Sequence, residues 1–127
     1  MPDTLHIKKT VNAWLSYWSA DDDSPDRAEN SWVSDELLDW AMENDSESLW
    51  LFVQEAYPRQ MSERVASILA AGPLEDLLGY HGPAYIEKVE HLARTDPKFN
   101  NLLGGVWRNS MTVDVWERVQ AVRNKVW

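Results

Sequence analysis

Three stretches of this 127-residue chain hold residue types at spacings that could do chemistry. The first is Gly72-Pro73-Leu74-Glu75-Asp76-Leu77-Leu78-Gly79-Tyr80-His81-Gly82. Glu75 and Asp76 adjoin an expected helix N-terminus and His81 stands at the far end, so a carboxylate–imidazole arrangement for acid–base or hydrolytic work is conceivable. A plainer account is favoured, because acids in a first helical turn and a histidine near the last turn both complement the helix macrodipole. The second stretch is Glu87-Lys88-Val89-Glu90-His91, where Glu87 and His91 lie four apart on one helix face, as metal ligands do. A zinc site needs three or four ligands, usually with a second His or Cys, and His81 is the only other imidazole nearby in sequence. The chain has no Cys, no H-x-x-x-H and no calcium-loop spacing of aspartates. It also lacks a G-x-S-x-G elbow and a Gly-rich phosphate loop following a strand, and Gly104-Gly105 reads as a helix C-cap. These patterns predict no catalytic residues, no metal and no cofactor.

The third stretch is acidic. From Asp21 to Glu47 the chain carries eleven acids against one base, Arg27, while the remaining residues hold ten acids and eleven bases. The whole net charge of −9 therefore sits in one segment. Asp35, Asp39 and Glu43 recur at i, i+4 and i+8, a single row on an expected helix. Like charges at that spacing cost about 0.2–0.5 kcal/mol per pair, and Glu43 near the helix C-terminus opposes the dipole as well. Helix stability does not explain such a row. It fits either a solubilising surface for a tryptophan-rich protein or a docking face for a basic partner. The concentration of the charge favours the partner, with Asp21, Asp22, Asp23, Asp26, Glu29, Asp35, Glu36, Asp39 and Glu43 as the candidate partner-binding residues.

Helices must position these groups. Asp3 is a plausible N-cap for a helix over 3–19, where Ile7, Val11, Trp14, Leu15 and Trp18 form one stripe. Ala20 to Asn30 reads as an exposed acidic loop. A second helix is expected from about Ser31 to Asn44, burying Val33, Leu37, Trp40 and Ala41. After an Asn44-Asp45-Ser46 turn, a third runs over roughly 46–57. Others are expected over about 59–71, from Leu74 to Tyr80, and from Pro83 to about Arg94, with Gly72 stopping one and Pro73 starting the next. Asp96-Pro97 should cap a short helix ending at Gly104-Gly105, and Ser110 a last one that buries Met111, Val115, Val119, Val122 and Val126. No stretch alternates with a period of two between turn signals, so no sheet is expected. The prediction is an all-α single domain over 1–127, an irregular bundle of about seven to eight helices. The echo between the turns at Asp45 and Asp96, 51 residues apart, leaves short α-solenoid-like helix pairs open.

Composition narrows the function classes. The hydrophobic fraction of 44% supports a packed core. Eight tryptophans against two phenylalanines suggest rings at the core's edge, each indole N–H seeking a partner. The negative charge argues against direct nucleic-acid binding, which requires Lys and Arg to neutralise phosphates. No signal-peptide pattern is visible and no apolar stretch approaches the roughly 20 residues that span a bilayer, so a cytoplasmic protein without membrane contact is expected.

The motifs Gly72-Pro73-Leu74-Glu75-Asp76-Leu77-Leu78, His81-Gly82, Asp96-Pro97-Lys98-Phe99 and Gly105-Val106-Trp107 resemble a family of small bacterial proteins known as a domain of unknown function. The resemblance spans Gly72 to Trp107, with the acidic loop and second helix outside it. It implies a bacterial source and a helical fold, and brings no activity with it. The residues themselves point to a binding protein of the immunity type, masking a basic protein partner such as a toxin through the 21–47 segment. Two other readings stand beside it. One is a metal-dependent or hydrolytic enzyme centred on Glu75, Asp76, His81, Glu87 and His91; the other is an acidic mimic of duplex DNA.

Overall fold

Asp3 begins the first helix, its carboxylate accepting the Leu5 amide at 3.0 Å, which satisfies one of the free N–H groups of an opening turn. The computed structural model describes residues 2–21, 23–43 and 45–127. Its described residues contain helices and no strand. In chain order these are α1 (Thr4–Ser19), α2 (Pro25–Glu29), α3 (Trp32–Met42), α4 (Ser46–Ala56), α5 (Glu63–Leu69), α6 (Glu75–Thr95), α7 (Pro97–Leu103) and α8 (Val113–Val122), with a π-helical turn, Ala70–Leu74, between α5 and α6. The chain divides into two compact units, Met1–Val65 and Ala66–Trp127.

In the first unit α1 packs on α2, α3 and α4, and α3 packs on α4. The expected stripe of α1 turns inward at Ile7, Val11 and Trp14, while Leu15 and Trp18 are half-buried. Trp14 meets Phe52 edge-to-face, centroids 5.7 Å apart, and Trp40 meets the same ring at 6.4 Å. Val33, Leu49, Val53 and Ala56 complete this core. The stretch expected to be a loop contains α2, because Ser24 accepts the Arg27 amide and Pro25 is preset for the first helical position. Arg27 holds α2 to α1: its Nε donates to the Tyr17 carbonyl at 3.3 Å and its guanidinium lies over the Tyr17 and Trp18 rings. Of the expected Asn44-Asp45-Ser46 turn, Asn44 lies outside the described residues; Asp45 caps α4 by accepting the Ser48 amide. The next helix begins at Glu63 rather than near residue 59, with the Ser62 hydroxyl accepting the Val65 amide.

In the second unit α6 packs on both α7 and α8. Gly72 and Pro73 do not break the helix as expected; the π-turn carries it through. Proline lacks an N–H and its ring crowds the carbonyl four residues back, and the wider turn makes room for it. The expected break at His81-Gly82 is present, as a kink between two helical stretches. There His81 leaves helical geometry (φ −133°, ψ 22°) ahead of Pro83, and α6 continues to Thr95. Gly82 lies under α8, where a Cβ would sit 2.9 Å from Val115 Cγ2.

Asp96 caps α7 as expected. The last helix is capped by Thr112 instead of Ser110 and ends at Val122, so Val126 is exposed. Tertiary bonds redirect the chain there. Buried Asn100 donates to the carbonyls of Ala93 and Val122 and accepts the Asn124 amide at 2.8 Å. Arg123 donates to the Leu103 and Val106 carbonyls, and the Trp127 amide donates to Gly104. Gly104-Gly105 does end α7, but without positive φ. The two glycines let the Trp127 ring approach to within 2.6–2.7 Å of where a Cβ would stand.

Candidate functional site

The acidic row stands on the open side of α3. Val33, Trp40 and Ala41 turn inward, so Asp35, Asp39 and Glu43 are exposed, and among the described residues none of the three carboxylates has a hydrogen bond or ion pair. Interleaved with them are two apolar side chains, Leu38 (50% exposed) and Met42 (57% exposed). The exposed face thus alternates charge and hydrocarbon along the helix. Leu38 and Met42 escaped the sequence reading, yet a signal was present: they fall off the Val33–Leu37–Trp40–Ala41 stripe and are themselves one helical turn apart.

The other candidate partner-binding residues lie around this face in different states. Asp21, Asp23, Asp26 and Glu29 are exposed, the last two on α2. Asp22 lies outside the described residues. Glu36 is turned to α1, where its carboxylate sits 2.6 Å from His6 Nε2, with the imidazole between the Trp32 and Trp40 rings. Trp40 itself is only 7% exposed, which makes it a core residue and removes it as a surface anchor. Trp32 is half-buried.

The Gly72–Gly82 region is arranged quite differently. Glu75 is buried, and its carboxylate accepts the Trp107 backbone amide at 3.1 Å. The macrodipole account fails for it, because the unbroken passage from π-turn to α6 leaves no free N-terminus at Glu75. Asp76 is pushed above the usual aspartate range, first by burial and then by the neighbouring Glu75 charge. His81 sits at the kink where the first helical stretch of α6 ends. Glu87 and His91 are exposed on α6. Between them in sequence, Glu90 is buried and bound through both carboxylate oxygens to Arg118 on α8, which holds it below the usual glutamate range. Among the described residues no three His, Cys, Asp or Glu side chains are grouped as a metal site.

The Gly72–Leu78, His81-Gly82, Asp96–Phe99 and Gly105–Trp107 stretches thus carry structural contacts. Glu75 of the first holds Trp107 of the last; His81-Gly82 is the kink and the α8 contact; Asp96 and buried Phe99 start and anchor α7. No helix of the described residues is long and apolar enough to cross a membrane. No curated protein and no solved structure matches the chain. Residues 20–127 match a family model, a span wider than Gly72–Trp107 that takes in the acidic α2–α3 segment. The chain belongs to that family, a family of unknown function (DUF6869).

Proposed function

We propose that this is a bacterial, cytoplasmic binding protein of the immunity type, which masks a basic protein partner through the exposed face of α3 and the acids of the 21–29 segment beside it in sequence. The observation that carries the proposal is the pattern on α3: Asp35, Asp39 and Glu43, unpaired among the described residues, flank exposed Leu38 and Met42. Carboxylates steer a basic partner and set its register, and the apolar pair supplies the desolvated contact that gives a protein interface lasting affinity. A DNA mimic needs phosphate-like charges and has no use for an apolar ridge among them, so the same pattern favours a protein partner. The enzyme reading has less support because Glu75, one of its five residues, is committed to the Trp107 amide.

The test is to compare the native chain with the triple variant Asp35→Lys/Asp39→Lys/Glu43→Lys in capture from a bacterial lysate at low salt. The expected result is a basic protein retained by the native chain, released by salt, and lost from the variant. The same protein held equally by both, with the same salt dependence, overturns this face as the docking surface.

A further inference from the structure

An open cleft of about 370 Å³ lies in the first unit between α1 and the α2–α3 junction. Its walls include Lys9, Asn12 and Ser16 from one face of α1, and Glu29, Asn30 and Trp32 from the junction. We infer that this cleft receives an arginine side chain of the basic protein partner, with the guanidinium on the Trp32 ring and paired to Glu29. The inference rests on the proposed partner reading and assigns it a specific anchor.

Four observations converge on that chemistry. The Trp32 ring already attracts a cation, since Lys9 Nζ lies 5.7 Å from its centroid. An indole face draws cations through its quadrupole, and arginine is found there more often than lysine. Glu29 lines the same cleft, exposed and without a hydrogen bond or ion pair among the described residues, and so offers an acceptor for the planar donor fork of a guanidinium. Asn30 spends its Nδ2 on the Asp26 carbonyl at 2.7 Å, which leaves its Oδ1 as a second acceptor. The rim already accepts one guanidinium, because Arg59 Nη1 donates to Asn12 Oδ1 at 2.8 Å. The charge at the cleft itself is mixed, Glu29 against Lys9 with Arg59 bonded at the rim, while Asp23 and Asp26 precede it in sequence. Lys9 then acts as a resident cation that an incoming arginine displaces from the ring. Arginine and tryptophan are also the residues that most often dominate interface energetics.

The experiment titrates the full chain, labelled with ¹⁵N, with N-acetyl-arginine methylamide, and follows the indole and amide signals. Parallel titrations use the lysine analogue and the uncharged citrulline analogue. The expected result is shifts centred on the Trp32 indole, Glu29 and Asn30, with arginine binding more tightly than lysine and citrulline not binding. Lys9→Gln should tighten arginine about two- to fivefold, the equivalent of an exposed cation–π contact, while Glu29→Gln should weaken it. Both substitutions are at exposed positions. Equal binding of citrulline, shifts elsewhere, or no shift at all would overturn the cleft assignment. Such a failure is separable from failure of the docking face, because capture that still depends on Asp35, Asp39 and Glu43 leaves the broader proposal standing.

Discussion

The Glu75 carboxylate accepts the Trp107 amide across 32 residues of chain, and its charge bears on the neighbouring Asp76. Truncating Glu75 to Ala would leave that amide without its acceptor, a loss of about 1–3 kcal/mol. Glu75→Gln keeps an acceptor and should recover much of it; urea unfolding of both variants measures the difference. Asp76 and Glu90 make opposite contributions to the pH dependence. Asp76 is raised, so its ionised form burdens the folded state, and the burden appears as pH rises through and above the usual aspartate range. Asp76→Asn should therefore raise Tm by a few degrees at pH 7, with the gain fading toward acid pH. Glu90 is lowered by Arg118, so its stabilisation is full above the usual glutamate range and is lost as pH falls through the lowered value. Glu90→Gln should destabilise at pH 7 and converge with the native chain in acid, which thermal melts at a series of pH values would reveal.

At the scale of the elements, α3 and α6 both show a local preference overridden. Glu43 is the C-cap of α3 and follows Asp39 by one turn, the worst end of the helix for an acid. Glu43→Lys should stabilise the chain by about 0.5–1 kcal/mol, through the dipole and a new i, i+4 pair with Asp39, while weakening partner capture. A residue whose removal improves the fold and harms binding is one kept for binding. In α6 the contact with α8 depends on Gly82. Gly82→Ala gains about 1 kcal/mol of helix propensity, but its Cβ would meet Val115 Cγ2 at 2.9 Å and Cγ1 at 3.1 Å. The clash should prevail, with a net loss of about 1–2 kcal/mol. Val115→Ala in the same chain should relieve it, so a double-mutant cycle should show clear coupling between the two positions.

For the molecule as a whole, the governing fact is that charge is segregated by sequence while stability is spread over ordinary packing. Binding through the acidic face should weaken steeply between low and physiological salt, as screening shortens to about 8 Å, whereas Tm should hardly change. Titration of the carboxylates toward the pI of about 4.7 should remove the net charge, and a solubility minimum is expected there.

The all-helical class, the caps at Asp3 and Asp96, the inward Ile7–Val11–Trp14 part of the α1 stripe and the location of the charge were legible in the residue order, because capping and 3.6-residue periodicity depend on neighbours within a turn or two. The exposed face of α3 was half legible: the acid row was plain, while Leu38 and Met42 gave the weaker signal of two apolar residues one turn apart and off the buried stripe. Tertiary structure alone decided the rest. It carried the helix past Gly72-Pro73 through a π-turn. It ended α8 early through Asn100 and Arg123, and made Glu75 a partner for Trp107. These bonds join residues 17 to 32 positions apart, and nothing within a single helical turn records which distant carbonyl or amide a buried polar side chain will meet.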